Sequence, residues 1–180
     1  MTNDSPSVPR ADVIILGAGL VGCALALALA RGGVTSILVD PADPEAIRAA
    51  TNDGRASAVS SSTWRMFDAL GLSDRFAPHA SPIERIEVGE QGARGLLAFQ
   101  PDLANDGPLG MMVENRTLRV GLREAATAAE GVTLLMPATP QSVERDADGV
   151  RITLADGRRI AGALLVGAEG RRSPTRDAAR

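Results

Sequence analysis

The stretch Asp12-Val13-Ile14-Ile15-Leu16-Gly17-Ala18-Gly19-Leu20-Val21-Gly22 decides the fold. Asp12 to Leu16 is a short apolar run ending at a glycine, the pattern of a strand buried in a parallel sheet. Gly17 to Gly22 reads GxGxxG. Behind it, Val21 to Arg31 is rich in Ala and Leu and stops at Gly32-Gly33, a helix with a glycine C-terminal signal. Thr35 to Asp40 (TSILVD) reads as a second buried strand, closed by an acid roughly twenty residues beyond the glycines. Each part has a physical role. Gly17 permits the tight strand-to-helix turn, Gly19 lets a pyrophosphate approach the backbone, and Gly22 lets the helix pack close to the strand. The helix start, from Ala18 through Leu20 and Val21, offers unpaired N–H groups and the positive end of the helix dipole to phosphates. Asp40 is placed to accept hydrogen bonds from a ribose diol, and its charge disfavours a 2′-phosphate. The unit predicts a dinucleotide site.

Working outward, the chain of 180 residues is long enough for one ordinary domain with a sizeable core. Hydrophobic residues make up 44% and charged residues 23%, the balance of a soluble globular protein. A net charge of −3, with scattered arginines and no lysine, speaks against a nucleic-acid binder. The single cysteine, Cys23, excludes an internal disulfide and suits a reducing cytoplasm. It reads as a small buried residue on an apolar helix. His79 is the only histidine, with no cysteine or histidine nearby to share a metal, so no metal site is expected. No apolar run reaches a membrane span. Residues 1–10 are polar with two prolines and read as a disordered lead-in.

Beyond Asp40, Pro41 and Pro44 break the chain. Ser62 to Leu70 is expected to be an amphipathic helix with Trp64 and Phe67 as core anchors. Arg85 to Glu90 and Gly95 to Phe99 flank a Gln91-Gly92 turn, as in a hairpin. Asp102 to Gly110 reads as a loop. Leu118 to Ala129 reads as a helix with Leu118, Leu122 and Ala125 on one face, and Val132 to Met136 as a strand. A β-meander follows: Gln141 to Asp146, Val150 to Leu154 and Arg159 to Ile160. A separate last strand, Ala163 to Val166, runs into Gly167-Ala168-Glu169-Gly170.

The glycine motif alone does not separate FAD from NAD. The long excursion from Pro41 to Met136 and the return through a meander resemble the FAD domain of the glutathione-reductase class. Within that class the sequence resembles the flavoprotein aromatic-ring monooxygenases, most closely the ubiquinone-biosynthesis hydroxylases. Four stretches carry the likeness: Asp12 to Asp40; Asp53-Gly54-Arg55-Ala56-Ser57-Ala58-Val59 with the helix ending Leu70-Gly71-Leu72; Val113-Glu114-Asn115-Arg116-Thr117-Leu118 with Leu122; and Leu165-Val166-Gly167-Ala168-Glu169-Gly170-Arg171-Arg172-Ser173 with Arg176.

The resemblance implies an α/β fold: a doubly wound parallel sheet with a β-meander that binds FAD. It implies a partial FAD-binding domain over 11–180, truncated, in which 83–113 contributes strands to a missing substrate domain. It puts Arg55 beside the FAD pyrophosphate and ribityl chain, where a guanidinium suits bidentate phosphate contact. It brings Asn115 or Arg116 to the same side chain, and it makes Glu169 the acid that serves the flavin ribose, where the family normally has Asp. The implied chemistry takes electrons from NAD(P)H and oxygen from O2 and hydroxylates a small aromatic substrate, a polyprenyl phenol in this branch. The flavin carries that chemistry, so no catalytic side chain is assigned in this part. The implied setting is the cytoplasm, with peripheral association at the inner membrane face. A fragment of this kind is expected to be inactive alone and to self-associate or to need a C-terminal partner half. An NAD-linked dehydrogenase domain and a non-enzymatic nucleotide-binding fragment are the alternatives.

Overall fold

The computed structural model describes residues 8–49, 54–89, 96–101 and 107–178. Most of the lead-in, Asp53, the Gln91-Gly92 turn and most of the 102–110 loop lie outside the described residues. In chain order the elements are β1 (Arg10–Leu16), α1 (Leu20–Arg31), β2 (Ser36–Val39), α2 (Pro44–Ala49), β3 (Ala56–Ser60), α3 (Ser61–Ala69) and α4 (Ser73–Phe76). Then come β4 (Ala80–Pro82), β5 (Ile86–Val88), β6 (Leu97–Phe99), β7 (Gly110–Glu114) and α5 (Asn115–Ala128). Last are β8 (Val132–Leu135), β9 (Pro140–Asp146), β10 (Gly149–Leu154), β11 (Arg159–Gly167) and α6 (Pro174–Asp177). The chain forms two compact units, Met1–Ala50 with Leu122–Arg180, and Thr51–Gly121.

The first unit carries a six-stranded sheet in the order β8-β2-β1-β11-β10-β9. The strands β8, β2, β1 and β11 run parallel, and β10 and β9 add antiparallel. The sheet is therefore mixed: the meander continues the parallel sheet rather than standing apart from it. Its apolar side chains sort by strand alternation. Ile14, Leu16, Ile37 and Val39 share one cluster with Val150, Ile152, Leu154 and Ile160 of the meander. The other face, with Val13, Ile15 and Leu38 buried, is the one left for α1, which buries Cys23 and Ala26.

Four expectations need correction. The third meander strand and the last strand are one element, β11, antiparallel to β10 from Arg159 to Gly162 and parallel to β1 from Ala161 to Gly167. The glycine inside it, Gly162, makes no turn but fits the strand where a Cβ would stand 2.9 Å from Ile14 Cγ1. Pro44 does not break the chain but opens α2, where its missing N–H costs nothing. On α5 the buried alanine is Ala126, not Ala125, continuing Leu118 and Leu122 at the same spacing. Trp64 is half-buried; only Phe67 is a core anchor, with its ring 5.3 Å from that of Phe76.

The second unit holds a three-stranded antiparallel sheet, β3-β7-β4, and the two-stranded β5–β6 pair. The sequence reading had no strand at β3, β4 or β7. The expected antiparallel pairing is present over three residues a side, with Ile86 opposite Phe99 and Val88 opposite Leu97, while the turn lies outside the described residues. Ser60 caps α3 by accepting a hydrogen bond from the Thr63 N–H.

Candidate nucleotide site

Strand order reverses at β1, which has β2 on one side and β11 on the other. Ligands of open α/β sheets bind outside the carboxyl ends of the strands at such a switch point. The three strand ends are stitched together there. The Gly17 N–H donates to Val39 O (2.8 Å), and the Ala168 N–H to Leu16 O (2.7 Å). Glycine loop, Asp40 and Glu169 thus arrive at one edge.

The glycines divide by what demands them. Gly17 has φ +105°, and a Cβ there would come within 2.5 Å of Ala168 O. At Gly22 a Cβ would lie 1.9 Å from Gly17 O. The chain itself requires both. Gly19 is different. It is extended, with φ −76° and ψ −167°, a conformation open to any residue. Nothing stands within 4 Å of its Cβ position. Neither backbone nor neighbours require glycine there, so the open space is what a side chain would fill. It adjoins the first turn of α1, whose N-terminus has no side-chain cap and no acidic residue. Those N–H groups and the dipole suit an anion.

Asp40 is tied to the loop. Its Oδ2 accepts from the Ala18 N–H (2.7 Å) and its Oδ1 from the Ala42 N–H (2.8 Å). Each oxygen keeps a further lone pair for a ligand hydroxyl. Glu169 accepts from the Ser173 hydroxyl (2.5 Å) and the Thr175 N–H (3.3 Å) through Oε2, fixing the segment that leads into α6. A cavity of about 700 Å³ opens between these groups, lined by Gly17, Asp40 and Glu169 and, across from them, by Gln141, Ser142 and Arg145 of β9. The sequence reading missed those β9 residues. They carry no local signal, because a polar alternating strand reads as a solvated edge until the sheet brings it opposite Asp40.

Cys23, in the first turn of α1, is buried, and its Sγ–H donates to Ala18 O (3.3 Å). Burial pushes the thiol up to about 11, against the nearby Arg123 charge and with that of Asp40. It is a structural residue, as expected.

The remaining residues of interest gather in the second unit at the start of α5. The Ser57 hydroxyl donates to Asn115 Oδ1 (2.5 Å), and the Asn115 N–H to Arg55 O (3.0 Å). Arg55, Asn115 and Arg116 are thus assembled by the β3–β7 pairing, in which Ala56 lies opposite Glu114. His79 is exposed in a single-turn helix at Ala77–His79. Among the described residues, no group of three or more His, Cys, Asp or Glu is placed to hold a metal.

A strand-to-glycine-to-helix turn and an acid just past the end of the next strand define a dinucleotide-binding domain. The family is settled by sequence: a model described as FAD binding domain matches residues 10–180, and the chain belongs to that family. Of the two dinucleotide readings, this match selects FAD. The chain is 44% identical over 169 residues to ubiquinone hydroxylase UbiL of Rhodospirillum rubrum, covering 94% of this chain and 39% of that protein. It is 32% identical over 170 residues to 3-demethoxyubiquinol 3-hydroxylase of Escherichia coli K12, covering 93% of this chain and 43% of that protein. Among solved structures, the flavin-dependent monooxygenase PieE, in complex with FAD and substrate, superposes with a TM-score of 0.71 at 28% identity, over 95% of this chain and 32% of that one. The chain therefore spans less than half the length of each. The resemblance read from the four sequence stretches is borne out, as is the α/β fold. Homologues of the chain are flavin monooxygenases, ubiquinone-biosynthesis hydroxylases among them.

Proposed function

We propose that this chain is the FAD-binding part of a flavoprotein monooxygenase that hydroxylates an aromatic ring, in the manner of the ubiquinone hydroxylases it resembles. The carrying observation is Gly19: an open position beside an uncapped helix N-terminus, where glycine serves a ligand and not the fold. The residues present fit FAD. Gly19, Leu20 and Val21 would hold the pyrophosphate through backbone N–H groups, Ala18, whose own N–H goes to Asp40, would shape the loop beside them, and Asp40 would hold the adenosine ribose. Gly17 and Gly22 would shape the loop, and Glu169 would face the flavin ribose. Arg55 with Asn115 or Arg116 would reach the pyrophosphate and ribityl chain. Bound FAD supplies the redox and oxygen-transfer chemistry, with NAD(P)H as electron donor and O2 as oxidant. A polyprenyl phenol is the substrate class this reading favours, and a substrate of that kind brings the enzyme to the membrane face.

The same reading assigns 83–113 to a substrate domain. The β5–β6 hairpin supports this, because it presents Ile86, Val88, Leu97 and Phe99 to solvent on one face. No helix among the described residues is long and apolar enough to cross a membrane.

The test is a flavin-fluorescence titration of the chain with FAD, repeated with Asp40→Ala. Removing the carboxylate should weaken FAD binding by about 1–3 kcal/mol, the scale of a lost hydrogen bond to a charged group. Unchanged affinity would remove Asp40 from the site. No flavin binding by the unaltered chain would defeat the reading as a whole.

A further inference from the structure

Trp64 is half-buried on α3, with its ring edge-on to that of Phe67 at a centroid distance of 6.5 Å. It lines a cavity of about 410 Å³ that falls wholly within the second unit. That is the size of a small-molecule site. Ser61, Trp64 and Arg65 line it from α3 at the i, i+3, i+4 spacing of one helix face. Pro82 and Met111, register partners in the β4–β7 pair, line it together with Pro108. The walls are mostly apolar and carry one charge. The cavity shares no lining residue with the nucleotide cavity, and none of the residues proposed to hold FAD lines it.

The polar groups indicate the occupant. Among the described residues, the Arg65 guanidinium makes no ion pair or hydrogen bond, and the Trp64 indole N–H has no acceptor. Asp68, three residues further along α3, accepts from the Ser73 hydroxyl (2.8 Å) instead. No acidic side chain lines the cavity. Two groups that can only donate therefore border an apolar space. A guanidinium matches a carboxylate, which it meets with two parallel N–H groups. An indole offers a flat apolar face to a second ring. An aliphatic acid would use only the first feature and a neutral ring only the second. An aromatic acid uses both.

We propose that this cavity binds a small aromatic carboxylate, with the carboxylate on Arg65 and the ring against Trp64. The inference does not rest on the FAD reading. The site is one of recognition, and no reaction is assigned to it.

Trp64 is the only tryptophan, and the chain has no tyrosine. Intrinsic emission therefore reports on this cavity. The experiment titrates the chain with benzoate, with benzamide as the probe lacking the charge and cyclohexanecarboxylate as the probe lacking the aromatic ring. Benzoate should change the Trp64 emission saturably, with a dissociation constant on the order of 1 mM. Both other probes should bind more weakly. Arg65→Met should weaken benzoate by about three- to tenfold, the scale of a partly exposed bidentate ion pair, and leave benzamide unchanged. Arg65→Lys, which keeps the charge but not the fork, should fall between. No saturable response to benzoate would overturn the proposal. So would equal binding of either other probe, or unchanged benzoate affinity in Arg65→Met. Displacement of bound FAD by benzoate would put the acid in the nucleotide site and overturn it as well.

Discussion

Gly19 and Gly22 belong to one glycine motif, yet a side chain at each should have opposite effects. Gly22→Ala drives a methyl group to 1.9 Å from a backbone oxygen that cannot step aside. The chain should lose at least the ~1–3 kcal/mol typical of overpacking, read as a lower urea midpoint, with or without nucleotide. Gly19→Val meets open space and an extended backbone. Its urea midpoint should stay in place while flavin binding in a fluorescence titration disappears. Retention of unaltered affinity would put the phosphates elsewhere. Cys23 gives a third residue-scale test. Burial holds the thiol near 11, so it stays protonated at pH 8. A thiol-specific chromophore should therefore leave the native chain unlabelled at pH 8 and react once urea unfolds it. The sign of the linked stability follows. The raised pKa favours the protonated fold, so this contribution is complete below the unfolded thiol pKa and is lost as pH climbs toward 11. Prompt labelling of the native chain would show the α1 first turn to be more open than its packing indicates.

At the scale of elements, α5 sets helix propensity against packing. Gly121 lies inside this helix, where Ala is normally better by about 0.5–1 kcal/mol. A Cβ there would stand 2.5 Å from Cε1 of Phe76, a fully buried ring packed on Phe67. Overpacking of ~1–3 kcal/mol outweighs the propensity gain. Gly121→Ala should therefore lower the thermal midpoint, and a raised midpoint would show that the Phe76 ring can yield. The same contrast explains what the sequence made legible. β1, α1, β2 and β8 were readable because each is a continuous apolar run bounded by glycine or proline. The loop of the nucleotide site was readable because Gly17, Gly19, Gly22 and Asp40 act through spacing alone. The strands β3 and β7 were not, since Ala56–Ser60 and Gly110–Glu114 bury one side chain each, Val59 and Val113, and are defined by pairing with one another. β11 is split in the sequence by Gly162, which falls where the β10 pairing ends and the β1 pairing continues, and pairing with two different strands leaves no mark in composition. The β9 side of the cavity was invisible for a related reason: its surroundings come from other strands.

At the scale of the whole molecule, the question is what the β5–β6 hairpin does in water. Its register puts Ile86, Val88, Leu97 and Phe99 on one face, with Glu87 and Ala98 on the other. The four apolar side chains are 43%, 54%, 60% and 47% exposed, so no described part of the chain covers them. Each strand is only three residues long, and a lone two-stranded ribbon of that length is marginal by itself. Its edges and its apolar face both invite a second copy. Repulsion opposes this weakly, because a net charge of −3 is small for a chain of this size. Covering four half-exposed side chains, at roughly 1 kcal/mol each on the usual scale for apolar burial, outweighs it once the chain is concentrated. Light scattering over a dilution series should therefore show mass rising with concentration. Leu97→Ser together with Phe99→Ser should shift that rise to higher concentration, since both act on the exposed face and neither touches the six-stranded core. Flavin binding should survive the double change, because neither Leu97 nor Phe99 is among the residues proposed to hold FAD. A clean monomer at high concentration before any substitution would mean that the hairpin face is already covered in solution.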